Sequence, residues 1–91
     1  MSERVFLVLK ASFSKNVSEG SIKKFEQFCH TIFTHIEPLN IYASNESQLN
    51  EYVYSVRLKK RAGTQTLIDK IKKVEDVVNV DIVSQDSALY I

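Results

Sequence analysis

Glycine is nearly absent: only Gly20 and Gly63 occur in the chain, so no glycine-rich loop can line up successive backbone N–H groups around a phosphate. A single cysteine, Cys29, excludes an intramolecular disulfide, and no apolar signal segment follows Met1. Together these point to a reducing compartment, the cytoplasm. The longest unbroken apolar run, Val5-Phe6-Leu7-Val8-Leu9, falls far short of the roughly twenty residues that cross a bilayer. Met1-Ser2 leaves open that the chain is a piece of a longer polypeptide with a membrane-embedded portion elsewhere. An excess of one charge is lacking too. Lys+Arg number 12 against 11 Asp+Glu, a formal +1, which supplies no long-range field to draw the protein onto nucleic acid or anionic lipid.

What is present fits one domain over residues 1–91. The chain is 91 residues long and 44% hydrophobic, with five Phe and four Tyr. Cutting it in two would leave neither half able to hide enough apolar surface. Arg4 to Phe13 reads as a strand, apolar on both parities and therefore central in a sheet. Ser18 or Ser21 can cap a helix in which Ile22, Phe25, Cys29, Ile32, Phe33 and Ile36 form one stripe. That helix must stop before Pro38, whose ring disfavours a helical Glu37. Leu39 to Ser44 starts a second strand, with Leu39, Ile41 and Ala43 on one parity. Asn45 to Gln48 is a polar turn, and Tyr52, Tyr54, Val56 and Leu58 alternate with Val53, Ser55 and Arg57 along a third strand, completing a hairpin. Thr64 or Thr66 can cap a second helix that turns Leu67, Ile68, Ile71 and Val74 inward. Val77 to Val83 is a β-branched closing strand, with Val78, Val80 and Ile82 on one parity. The tail Ala88-Leu89-Tyr90-Ile91 is apolar.

With right-handed crossovers, the order strand, helix, strand, strand, helix, strand has one compact solution. It is an α+β, ferredoxin-like βαββαβ sandwich: a four-stranded antiparallel sheet with both helices on one face and strands one and three at its centre. The second face then has no helix to cover it. Phe6, Val8, Tyr42, Tyr52 and Tyr54 are the expected interface residues there, and a homodimer or other partner the expected cover. The alternative is that Leu89 to Ile91 folds back over it.

Catalysis, a cofactor and a bound metal are not expected. Cys29-His30 with His35 is the only cluster resembling metal ligands, but successive helical residues diverge by about 100° and no second cysteine pair exists. Cys29 is expected in the core, and the histidines at the surface or a helix end. No serine sits in a recognisable nucleophile elbow, and Glu75, Asp76 and Asp81 read as solvated turn acids. Tyr52 and Tyr54 with Phe6 could stack bases beside Lys59, Lys60 and Arg61. However, Asn50-Glu51 stand where an RNA-recognition motif would carry Lys/Arg-Gly, so single-stranded nucleic-acid binding is a lesser alternative and no nucleic-acid partner is expected.

Tyr52 to Lys60, Thr64 to Ile71 and the Val77-Val78-Asn79-Val80-Asp81-Ile82 strand resemble the second half of an ACT-like domain, over roughly residues 36–83. They are similar especially to the cytosolic C-terminal domains of MgtC/SapB-type and related bacterial membrane proteins. The resemblance implies a non-enzymatic regulatory or assembly module that self-associates through its sheet, with amino-acid or nucleotide sensing as the alternative. Ligand-binding ACT domains carry an Asp-x-Pro-Gly type turn after the first strand. Here Ser14-Lys15-Asn16-Val17-Ser18-Glu19-Gly20 stands instead, without the proline, so no ligand residues carry over.

Overall fold

The computed structural model describes residues 6–59 and 62–84. The elements are β1 (Phe6–Ser14), α1 (Glu19–Ile32), β2 (Phe33–Ser44), β3 (Leu49–Leu58), α2 (Thr64–Lys72) and β4 (Val77–Ser84). The sheet order is β2-β3-β1-β4, every neighbouring pair antiparallel. This is the expected βαββαβ sandwich, with β1 and β3 central. The expectations that fall on Arg4, Val5, Lys60, Arg61 and the tail at 88–91 lie outside the described residues.

Because paired residues in an antiparallel sheet share a face, the register assigns every side chain a side. Leu9 pairs with Tyr54 and with Ile82, and Leu7 pairs with Val56. Leu7, Leu9, Ala11 and Phe13 of β1, Tyr54 and Val56 of β3 and Ile82 of β4 join Phe25 and Cys29 of α1 and Leu67 and Ile71 of α2 in one buried cluster. Phe33 completes it. Phe13 packs edge-on against both Phe25 and Tyr52, centroids 5.2 and 5.4 Å apart.

Local chemistry explains where the helices start and stop. Ser18 is the α1 N-cap, its hydroxyl oxygen accepting the Ser21 N–H at 3.1 Å, which satisfies one of the helix's orphan donors. α2 begins at an uncapped Gly63, not at a threonine cap. The largest difference from the sequence reading lies at the end of α1: the helix stops at Ile32, and Phe33 to Ile36 belong to β2. A register shift between Phe33 and His35 puts Phe33 and Ile36 on the same side of the strand. A spacing of three that mimics a helical turn is in fact a bulge. The same device recurs twice. A shift between Pro38 and Asn40 makes Leu39 the extra residue and leaves Pro38 and Ile41 opposite Tyr54 and Tyr52. A shift near Phe13 leaves Val78 unpaired and 45% exposed, so Val77, not Val78, shares the inner side with Val80 and Ile82.

Candidate functional site

The sheet face away from the helices is less apolar than expected. Read from the register, it carries Phe6, Val8, Lys10 and Ser12 from β1, and Glu51, Val53, Ser55 and Arg57 from β3. β4 adds Asn79, Asp81 and Val83. Val8 and Val53 are only 6% and 8% exposed, so they offer a partner little area. Phe6 is 37% exposed, with the Arg57 guanidinium over its ring at 4.3 Å and His35 edge-on at 6.4 Å. The ring face meets the guanidinium in a cation–π contact, while Arg57 Nε is buried without a hydrogen-bond partner among the described residues. His35 Nε2 is 3.5 Å from Glu37 Oε2, an exposed pair of small energetic weight.

Of the five expected interface residues, Tyr52 and Tyr54 are on the other side. Their pairing with Ala11 and Leu9 turns them under α1, where Tyr54 is 1% exposed. The Tyr54 hydroxyl donates to Glu26 Oε2 at 2.9 Å. Burial, then this bond to the carboxylate, pushes the Tyr54 phenol well above its ordinary value. A base-stacking platform built on these two tyrosines is therefore not formed. Cys29, beside them, is fully buried, and burial with the nearby Glu26 charge pushes its thiol up to about 12. Among the described residues, no group of three or more His, Cys, Asp or Glu is placed to hold a metal ion, and no helix is long and apolar enough to cross a membrane.

Exposed apolar area gathers instead on β2, which among the described residues pairs on one side only. Leu39, Ile41 and Tyr42 are 52%, 55% and 56% exposed. Between this edge and α1 runs an open groove of about 400 Å³ lined by Glu26, Pro38, Leu39, Ile41, Tyr52 and Tyr54 among others. Tyr42 lies on the opposite side of the strand, opposite Glu51. The sequence reading counted Tyr42 among the expected interface residues and did not single out Leu39 and Ile41, which are as exposed. Pro38 was the available signal, because a proline inside a strand marks an edge.

A second recess, about 520 Å³, opens at the turn after β1 and is lined by Ser14, Asn16, Val17, Ser18, Ser21, Asp76, Val77 and Val78. Its polar groups already serve one another. The Ser18 hydroxyl donates to Ser21 Oγ at 3.1 Å, and the Ser21 hydroxyl donates to Asp76 Oδ2 at 2.5 Å. This chain ties the start of α1 to the turn before β4, where Asp76 sits at φ 70°, a left-handed conformation that aspartate tolerates better than most residues.

No family model matches the chain, and no curated protein matches it. The fold is similar to the solved ACT domain from the GTP pyrophosphokinase of Chlorobium tepidum, with a TM-score of 0.57 over 89% of this chain and 100% of that one, at 14% sequence identity. The chain thus has an ACT-like, ferredoxin-like fold.

Proposed function

We propose that this chain is a non-enzymatic regulatory and assembly module that self-associates along the β2 edge of its sheet. The observation that carries the reading is the run Leu39, Ile41, Tyr42, each more than half exposed on the strand that ends the sheet among the described residues. Exposed apolar groups gathered in one place mark contact surfaces on soluble proteins. The ACT-like fold supports a regulatory setting; in this reading the module is attached to a membrane-embedded portion, in the manner of MgtC/SapB-type proteins, and works in the cytoplasm. Sedimentation of the pure chain tests it: a dimer at high micromolar concentration is expected, and a strict monomer there rejects the reading.

A second reading, amino-acid or nucleotide sensing, is favoured by the polar recess at Ser14 to Ser21 with Asp76. It requires a ligand to displace the Ser21–Asp76 hydrogen bond. A thermal-shift screen of amino acids and nucleotides should raise the melting temperature with at least one compound, and a flat screen removes this reading.

A further inference from the structure

Two of the acids on the sheet face away from the helices have a basic neighbour. Asp81 stands opposite Lys10, and Glu37 Oε2 lies 3.5 Å from His35 Nε2. Arg57, on the same face, has no such match. Its guanidinium makes no hydrogen bond or ion pair among the described residues, and its Nε is buried without a partner. We propose that Arg57, with Lys59 at the same end of the sheet, forms an anion site that takes a phosphate group. The site lies apart from the β2 rim and does not depend on self-association.

The register sets its geometry. Arg57 stands between Phe6 of β1 and His35 of β2 in one cross-strand row. The guanidinium lies over the Phe6 ring at 4.3 Å, and His35 meets that ring edge-on at 6.4 Å. This stack fixes the plane of the fork before a ligand arrives, so binding costs less side-chain freedom than it would for a loose lysine. Arg57 is also half-buried, where a charge is screened less than in open water. The Thr34 hydroxyl donates to the Arg57 carbonyl at 3.4 Å, which ties the start of β2 to the same point. Two residues on, the Lys59 N–H donates to the Ile32 carbonyl at 3.4 Å, and this bond holds the backbone of the exposed Lys59 at that end.

The chemistry selects the ligand. A guanidinium offers parallel N–H donors that match two oxygens of a phosphate or a carboxylate. Here two cations share one end of the sheet, and neither has a carboxylate within ion-pair distance among the described residues. A divalent phosphate is held by both, whereas a monovalent carboxylate is matched by one. Glu37 does not fill the place, because its near partner is His35. Phe6, 37% exposed, leaves an apolar shelf beside the fork for whatever the phosphate carries.

Inorganic phosphate is the probe, titrated at constant ionic strength into the isotope-labelled full chain, with backbone amide shifts as the readout. The shifts should saturate at millimolar phosphate and centre on Phe6, His35, Arg57 and Lys59. Arg57→Met keeps a stem over Phe6 but removes the fork, and should weaken binding about tenfold or more, as loss of charge-assisted hydrogen bonds does. Arg57→Lys keeps the charge without the fork and should fall between the two; it carries the comparison if Arg57→Met melts early. Lys70→Met removes an exposed charge on α2 and should leave the affinity within about twofold. Vesicles of phosphatidylcholine with phosphatidic acid, at matched phosphate, separate the sources. Saturation by inorganic phosphate assigns the site to a soluble phosphate, and Arg57-dependent binding to the vesicles alone assigns it to a lipid headgroup. Binding to neither overturns the site, as do shifts spread over the lysines of α1 and α2 that fall equally in Lys70→Met.

Discussion

At the residue scale, Tyr54, Glu26 and Cys29 form the most constrained chemistry in the molecule. Tyr54 is a core ring whose only polar atom reaches Glu26. Tyr54→Phe keeps the ring and removes the donor, and should cost about 0.5–1.5 kcal/mol in urea unfolding. Tyr54→Ala empties the site and should cost about 3–5 kcal/mol. Cys29 and Tyr54 also fix the alkaline behaviour. Both groups hold their protons more tightly folded than unfolded, Cys29 rising from 9.0 to about 12. Above pH 9 the unfolded chain loses the thiol proton while the native chain keeps it, so ν_U falls below ν_N and stability declines with rising pH. Melting temperature should therefore fall between pH 9 and pH 12, and less steeply in Cys29→Ala. At neutral pH, native protein should react with a thiol reagent only as fast as it opens, because a buried neutral thiol is a poor nucleophile. Rapid stoichiometric labelling of folded protein would contradict the burial of Cys29. The burial of Cys29 was legible from its place on the helical stripe. The side taken by Tyr54 was not, because alternation separates Tyr54 from Val53 without saying which side the helices cover; only the pairing with Leu9 decides it.

At the element scale, α1 and β2 share a boundary that apolar spacing misplaces. Phe33 and Ile36 continue the helical stripe, yet they are strand residues brought to one side by a bulge. A period-based reading assumes a regular ladder, and each of the three register shifts breaks that assumption at an edge strand. By contrast, the start of α1 was legible to within a turn, because Ser18 and Ser21 both precede or open the stripe with a capping oxygen, and Ser18 is the cap. Ser18→Ala removes the acceptor for the Ser21 N–H and should cost about 0.5–2 kcal/mol. It also removes the hydroxyl that donates to Ser21, so Ser18→Asn, which restores an acceptor, should recover most of the loss. Equal destabilisation by Ala and Asn, measured by chemical unfolding, would mean that the cap does not hold the helix end.

At the scale of the whole molecule, the architecture followed from element order and crossover handedness, whereas the place of the exposed apolar side chains did not. Both helices lie on one side of the sheet, but the other side mixes the buried Val8 and Val53 with Lys10, Glu51, Arg57 and Asp81, while apolar exposure among the described residues gathers at the β2 rim. The reason is that strand propensity selects Val and Phe whether or not a strand's second side is covered, so residue type in β1 and β3 says little about contact. If the rim joins two copies, folding and association are linked, and stability must depend on concentration. A tenfold rise in concentration above the dissociation constant is worth about 1.4 kcal/mol per dimer, or roughly 0.7 kcal/mol per chain. For a domain of this size, about 4–8 °C accompanies each kcal/mol, so the melting temperature should climb by roughly 3–6 °C per decade. The Leu39→Ser, Ile41→Ser chain should melt at one temperature across the same range. A wild-type melting temperature equally indifferent to concentration would leave the apolar rim of β2 without a second copy to cover it.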